Sequence, residues 1–344
     1  MNRRRPIAVD LFAGAGGLSL GFEQAGFDVV AAVEVDPVHA CVHKFNFPQC
    51  AVIPKSVSVV NGKDIREAAG LDARTIVDVV VGGAPCQGFS LMGQRALDDP
   101  RNALVRDFIR IVRELQPSYF LFENVKGLTV GKHRQFLQEI IEELSESGYT
   151  VIQPWQVLNA KDYGVPQNRE RLFLIGSKEG CDLPIYPSKF EGIITCAEAL
   201  DDLPDAERFE QLLFRDEVQA EYLDAPRGYS ALMRCSSDDS WKYGHRRKWS
   251  KAFLTSSRRT QHTAISRRRF AQTEPGSVEP ISRFFRLPAD GVSNTLRAGT
   301  DSARGAFTSP RPIHYKYARC VTVREMARLH GFPDWFRFHE TKWH

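Results

Sequence analysis

The chain has 344 residues, 42% of them hydrophobic and 26% charged, enough for one large core and a smaller second domain. No stretch is long and apolar enough to span a membrane, and the basic Arg3-Arg4-Arg5 runs into Asp10 and glycines instead of a signal-type apolar segment. Membrane and secreted proteins are thereby excluded, and a cytoplasmic location is expected. The seven cysteines are scattered and form no Cys-x-x-Cys pair, which fits a reducing compartment without structural zinc.

Residues 1–177 alternate short β-rich runs with helical patterns, the signature of an α/β fold with a doubly wound, mostly parallel sheet. Strands are predicted at 7–12, 29–34, 76–81, 119–122 and 172–175, and helices at 18–25, 37–45, 103–115 and 133–147. The first strand runs into Asp10-Leu11-Phe12-Ala13-Gly14-Ala15-Gly16-Gly17-Leu18, a glycine-rich turn ahead of a helix. Missing side chains there let a ligand approach the backbone, and a nucleoside cofactor is the natural occupant. Glu34 and Asp36 follow the second strand, where a carboxylate can accept hydrogen bonds from ribose hydroxyls. The loop departs from G-x-G-x-x-G, because Ser19 stands at the third glycine position, and a purely structural turn explains it equally well.

The strand at 76–81 stops at Gly82-Gly83-Ala84-Pro85-Cys86-Gln87-Gly88-Phe89-Ser90. A rigid turn at the carboxyl edge of a sheet is where open α/β folds place their chemistry, so Cys86 reads as a nucleophile. A lone cysteine is otherwise more often a small buried hydrophobe. The next strand delivers Glu123 to the same edge, where burial should disfavour its ionised form and equip it to hand a proton or hydrogen bond to a ring nitrogen. The bland alternative is an acidic helix cap. Arg169 and Arg171 alternate onto one face of the strand entering 172–175, placed to grip a carbonyl or phosphate, or to pair with a surface acid such as Glu170.

From 178 to 296 the regular alternation stops and Pro, Gly, Ser and Arg accumulate, which predicts a separate, smaller, irregular domain. The net charge of +4 is unevenly spread: residues 241–270 hold ten Lys or Arg and no acid, leaving 36 basic against 42 acidic residues elsewhere. Trp241, Tyr243 and Trp249 interleave with Lys242, Arg246, Arg247 and Lys248, and Arg258-Arg259 and Arg267-Arg268-Arg269 follow. Such a stretch suits a nucleic-acid backbone better than an idle solvated surface. At 323–330 a helix is predicted, with Thr322 and Glu325 forming a capping box, and the segment 297–344 is expected to return to the first domain.

In order and wording these motifs resemble the DNA cytosine-5 methyltransferases of bacterial restriction-modification type. Asp10 to Gly17, Gly82 to Ser90, Glu123 to Val125, Gln167 to Phe173 and Arg319 to Pro333 carry the resemblance over most of the chain. It implies a Rossmann-like S-adenosylmethionine-dependent methyltransferase fold with a target-recognition domain at 178–296, and double-stranded DNA as partner. By the same resemblance Cys86 attacks carbon 6 of a flipped-out cytosine, Glu123 engages ring nitrogen 3 and the exocyclic amine, and Arg169 and Arg171 hold the base and the catalytic loop. S-adenosyl-L-methionine is implied as cofactor. Phe12, Ala13, Gly14, Gly16, Gly17 and Leu18 would lie near its methionine part, Glu34 on its ribose, Val35 and the pair Asp64-Ile65 at its adenine, and Pro85 with Leu104 would close the pocket. The stretch from Gln87 to Arg101 looks like the mobile loop that closes over DNA.

The family normally continues past Gly331-Phe332-Pro333-Asp334 into a Gly-Asn-rich motif and helix, whereas this sequence ends at His344. A second chain supplying that motif, a truncation, or weakened cofactor binding are the open alternatives. A tRNA cytosine-5 methyltransferase and a DNA-binding protein that has lost catalysis are the rival readings, the second opposed by the intact Cys86, Glu123, Arg169 and Arg171.

Overall fold

β1 (Ile7–Leu11), β2 (Asp28–Val33), β3 (Ala51–Ile53), β4 (Val79–Gly82), β5 (Tyr119–Val125), β6 (Tyr149–Val151), β7 (Gln156–Asn159) and β8 (Glu170–Lys178) build one sheet in the order β3-β2-β1-β4-β5-β8-β6, with β7 also pairing β8. The chain is described by a computed structural model over residues 4–85, 102–131, 133–223, 225–235, 244–245, 247, 249–297 and 311–340. The pairs β3-β2, β2-β1, β1-β4 and β4-β5 are parallel, while β8 runs antiparallel to both β5 and β6. The predicted doubly wound, mostly parallel α/β sheet is thus the observed one. Strands β3, β6 and β7 go beyond the sequence reading; at three or four residues each they are too short to show a periodicity.

The strands and helices follow from ordinary side-chain rules. All five residues of β1 and all four of β4 are buried, as befits parallel strands covered on both faces. The helices α1 (Gly17–Gln24), α2 (Pro37–Asn46), α3 (Gly62–Ala68), α4 (Ala103–Leu115) and α5 (His133–Glu146) alternate with them. α4 coincides with its predicted span and buries Val105, Phe108, Ile109, Ile111, Val112 and Leu115, leaving Arg106 at the surface. Asp36 caps α2 by accepting from the amides of Val38 and His39, ahead of Pro37 in the first turn. The strand order reverses at β1, which has β2 on one side and β4 on the other. In open α/β sheets, ligands bind beyond the carboxyl ends of the strands at this point.

Two compact units divide the chain: the first comprises Met1–Leu158, Glu170–Ser188 and Lys242–Arg246, the second Asn159–Arg169, Lys189–Trp241 and Arg247–His344. These bounds differ from the expected ones. Residues 178–188 stay with the sheet because Tyr186 donates its hydroxyl to the carbonyl of Phe173 (2.7 Å). The stretch 159–169 joins the second unit, where Gln167 Nε2 donates to the carbonyl of Leu329 (3.1 Å) and Gln167 Oε1 accepts from the amide of Leu296 (3.2 Å).

The largest correction concerns 297–344, expected back in the first domain. Its described residues belong to the second unit, which also holds α6 (Cys196–Leu200), β9 (Val218–Gln219), α7 (Gly228–Met233), β10 (Phe253–Leu254), α8 (Ala264–Gln272) and α9 (Val323–Leu329). The capping box is as predicted, with Thr322 Oγ1 accepting from the amide of Glu325 and the Glu325 carboxylate accepting from the amide of Thr322. What α9 buries, however, is not only Leu329 but Arg324 and Arg328, and buried guanidinium groups need acids. Those acids are in the second unit: Arg328 grips Asp202 and Asp334, and Arg319 grips Asp205 and Glu325.

Candidate active site

Four strands of the first unit end along one edge, and each hands over a predicted site residue. β5 brings Glu123 and β4 runs into Gly83, Ala84 and Pro85, in register, because Gly82 pairs Phe122. A Cβ on Gly83 would stand 2.8 Å from Glu123 Oε2, so the second glycine of the turn leaves room for that carboxylate. The neighbouring Asn124 is buried and donates Nδ2–H to the carbonyl of Ala84 (2.8 Å), fixing the turn two residues before Cys86. Cys86 itself and the stretch from Gln87 to Arg101 lie outside the described residues; Pro85, the last described residue before them, is exposed.

Arg171 Nε lies 2.9 Å from Glu123 Oε1. Register explains the contact: Glu123 pairs Phe173 and Val125 pairs Arg171 across β5 and β8, so the arginine reaches diagonally along one face. Their side chains are 22% and 19% exposed, so the expected burial of Glu123 is partial and the acid has a cation beside it. Arg169 stands two residues before Arg171, just ahead of β8. It belongs to the second unit, where its Nη1 donates to the carbonyl of Leu296 (3.4 Å) and its amide to Asn159 Oδ1 (3.0 Å).

The glycine-rich loop follows β1. Phe12, Gly14 and Gly16 have positive φ, at 58°, 53° and 105°. A Cβ on Gly14 would meet nothing within 4 Å, so this side of the loop is open. One on Gly16 would strike the Phe47 ring at 2.4 Å, so that side is closed. The Ala13 amide continues the sheet onto the carbonyl of Val33 (3.1 Å), and Gly17 and Leu18 begin α1. Glu34, at the end of β2, accepts from the amides of Gly14 (2.7 Å) and Asp36 (2.8 Å), which fixes its carboxylate against the loop. Val35 beside it is 66% exposed.

The expected adenine pair divides. Ile65 packs in the hydrophobic core, while Asp64 is at the surface, its carboxylate accepting from the amide of Asn61 (2.9 Å) in the capping box of α3. Leu104, in the first turn of α4, is half-buried. Sequence reasoning missed Asp10 as anything more than the start of the loop. It is fully buried, with Oδ2 accepting both the amide (3.1 Å) and the hydroxyl (2.6 Å) of Ser19. It also missed Asn124, Gly83 and the buried arginines.

The basic stretch is only partly free for a ligand. Arg267 pairs with Glu207, Arg269 Nε lies 3.8 Å from Glu279, and Arg259 donates to the carbonyl of Phe209 (3.2 Å). Arg268 is exposed. Gly244 sits in the first unit, so near the Arg5–Asp28 pair that a Cβ would be 2.7 Å from Asp28 Oδ1. Trp241, Lys242, Tyr243, Arg246 and Lys248 lie outside the described residues.

The glycine-rich loop after β1, the carboxylate after β2 and the acid–arginine pair beside Gly83 stand where the sequence motifs of a cytosine methyltransferase are expected. The profile of C-5 cytosine-specific DNA methylase matches residues 7–343. The chain belongs to this family and is a DNA (cytosine-5-)-methyltransferase. It is 59% identical over 340 residues to the Type II methyltransferase M.XorII of Xanthomonas oryzae pv. oryzae, covering 99% of this chain and 80% of that relative. It is 36% identical to the Type II methyltransferase M.DdeI of Desulfomicrobium norvegicum, over 96% of this chain and 79% of that one. The crystal structure of an E. coli prophage protein assigned as a DNA modification methyltransferase superposes with a TM-score of 0.77 at 33% identity, covering 98% of this chain and 92% of that one. That match carries the methyltransferase fold for the whole architecture. Among the described residues no helix is long and apolar enough to cross a membrane.

Proposed function

We propose that this chain transfers a methyl group from S-adenosyl-L-methionine to carbon 5 of a flipped-out cytosine in a specific duplex DNA sequence, through a covalent bond between Cys86 and carbon 6. We further propose that it is the modification enzyme of a Type II restriction-modification system, as its relatives' names suggest. The observation that carries the chemistry is the Glu123–Arg171 pair set against Gly83, at the base of the turn that leads to Cys86.

The residues fit the donor. The open side of the loop at Gly14, the Glu34 carboxylate and the exposed Val35 offer backbone amides, a ribose acceptor and an apolar face. In this reading Phe12, Ala13, Gly14, Gly16, Gly17 and Leu18 surround the methionine part, Val35 and Asp64 reach the adenine, Ile65 supports Asp64 from the core, and Pro85 and Leu104 close the pocket. When bound, the donor supplies a methyl group made electrophilic by its sulfonium.

Cytosine carbon 5 is a weak nucleophile. Addition of the Cys86 thiolate to carbon 6 breaks the 5,6 double bond and pushes its electron pair towards nitrogen 3, where a proton donated by the Glu123 carboxyl group neutralises the developing charge. Arg171 holds the Glu123 carboxylate in place while this happens. Carbon 5, now enamine-like, takes the methyl. Loss of its proton to a base then expels the thiolate and restores the ring. By the family resemblance, Arg169 grips the base or the loop. The second unit reads the DNA, with phosphate contacts from cations such as the exposed Arg268, which has no acidic partner among the described residues.

Transfer of labelled methyl to mixed-sequence duplex DNA, followed by bisulfite sequencing, tests the proposal. Methylated cytosines within one short motif are expected. Cys86→Ser should abolish transfer and leave DNA binding intact, and transfer that survives the substitution overturns the mechanism.

A further inference from the structure

Beneath the donor loop lies a carboxylate with no task in the reaction above. Asp10, the fourth residue of β1, has no exposed surface, and its Oδ1 has no hydrogen-bond partner among the described residues. Its Oδ2 accepts two hydrogen bonds from Ser19, the third residue of α1. Gly16, which starts that helix, has no side chain with which to cap it. The strand therefore supplies the cap from below, taking the place of the Ser, Thr, Asn or Asp that usually stands at the helix start.

The surroundings of Asp10 are unusual for a buried acid because no cation is bonded to it. Glu34 bears on it from the end of β2, and the buried Cys50 and Glu23 share the neighbourhood. His43 of α2 is buried below Gly16, and burial lowers its titration to about 4, so it is neutral at physiological pH. Lys44, the nearby cation, spends its ammonium on the carbonyls of Pro48 and Cys50. Burial, opposed by the Ser19 bonds and reinforced by Glu34, moves the Asp10 carboxyl up to about 7.

We propose that Asp10 is a positioning residue of the donor site that also discriminates by charge: its carboxylate favours the cationic sulfonium donor over the neutral thioether left after transfer. The inference rests on S-adenosylmethionine occupying the loop between Gly14 and Leu18. Donor and product share carboxylate, amine, ribose and adenine, and differ only in the transferred methyl and the positive charge it confers on sulfur. A negative charge held in the low-dielectric floor of the site therefore acts on their difference. Proton uptake at Asp10 would remove that preference, so donor binding and Asp10 deprotonation are coupled in both directions.

Calorimetric titration of the full chain with S-adenosylmethionine and with S-adenosylhomocysteine, between pH 6 and pH 8, tests this. In the wild type the donor-to-product affinity ratio should rise roughly fivefold across that range for each unit by which the donor shifts Asp10. Asp10→Asn keeps an oxygen for Ser19 but cannot ionise, and it should flatten the ratio while binding both ligands. Ser19→Ala removes one bond to the carboxylate and should move the step to higher pH. Thermal melts establish that each variant is folded. If both ligands bind with one common pH profile, or the step persists in Asp10→Asn, the proposal is overturned and the donor site stands. If the folded wild type binds neither ligand at any pH, the donor-site reading falls and takes the proposal with it.

Discussion

The same chemical pair, an arginine on a carboxylate, occurs in both units of this methyltransferase under opposite conditions. In the first unit Glu123 and Arg171 keep about a fifth of their side-chain surface in solvent. In the second, Arg319–Glu325 and Arg328–Asp334 keep 4% or less, and every acid has a further partner. Buried ion pairs need all their hydrogen bonds to offset desolvation, which commits the groups to one geometry. Glu325 shows the outcome: burial alone would raise its carboxyl, but Arg319 outweighs burial and brings it down to about 2. The half-open pair keeps a face to solvent. Burial, more than residue type, separates the scaffold pairs from the candidate catalytic one.

The comparison can be broken most forcefully in the second unit. Arg328→Leu takes from the buried Asp202 and Asp334 their nearest cation, leaving only the more distant Arg234 and Arg324, and should cost about 3–5 kcal/mol of stability in denaturant titrations. Next comes Glu123→Gln, which leaves the fold in place but removes the proton offered to the ring. We expect kcat for methyl transfer to fall by about 100- to 1,000-fold with a change in melting temperature smaller than that of Arg328→Leu. If the two variants exchange these signatures, the assignment of roles is wrong.

Asn124→Ala sharpens the distinction on the catalytic side, because it touches neither charge yet releases the carbonyl of Ala84 beside the Pro-Cys turn. About 1–3 kcal/mol of stability should be lost, with a fall in kcat that Asn124→Asp does not restore, since a carboxylate cannot donate to that carbonyl. The smallest effect, per step, is a pH slope. Folded Asp10 holds its proton to about pH 7, against an ordinary 3.8, so its stabilising protonated form is fully present below pH 4 and is lost as pH rises through 7. Relative to Asp10→Asn, the wild type should lose stability over that window by at most about 1.4 kcal/mol per pH unit, as urea titrations at pH 5 and 7.5 would measure.

Much of this contrast was legible in the residues and some was not. The long helices and central strands were, because 103–115 carries an unbroken helical period and Val79 to Val81 a continuous β-branched run. Glu123 and Arg171 were identifiable as site residues from their motifs, but their contact required knowing that β8 lies antiparallel beside β5, which no local pattern encodes. Asn61 and Asp64 spell a helix start, yet Asp64 had been read with Ile65 as a cofactor contact, and α3 went unpredicted. The buried Arg319, Arg324 and Arg328 were invisible for a general reason: Arg is expected at the surface, and the tertiary arrangement of Asp202, Asp205, Glu325 and Asp334 lets these go inside. The same rule led the basic stretch to be read wholly as a ligand surface, whereas Arg259, Arg267 and Arg269 are spent within the unit.

The threading of the chain has a consequence for its biosynthesis. The path leaves the first unit after Leu158, returns at Glu170 with β8, leaves again after Ser188 and returns once more at Lys242. A nascent chain emerging from the ribosome therefore cannot add the antiparallel strand that carries Arg171 until the stretch holding Gln167 and Arg169 has already been made for the other unit. The second unit in turn waits for α9 (Val323–Leu329), long after β8 has been made. The segments of the two units are thus interleaved along the chain, so their synthesis overlaps where consecutive domains would be made one after the other.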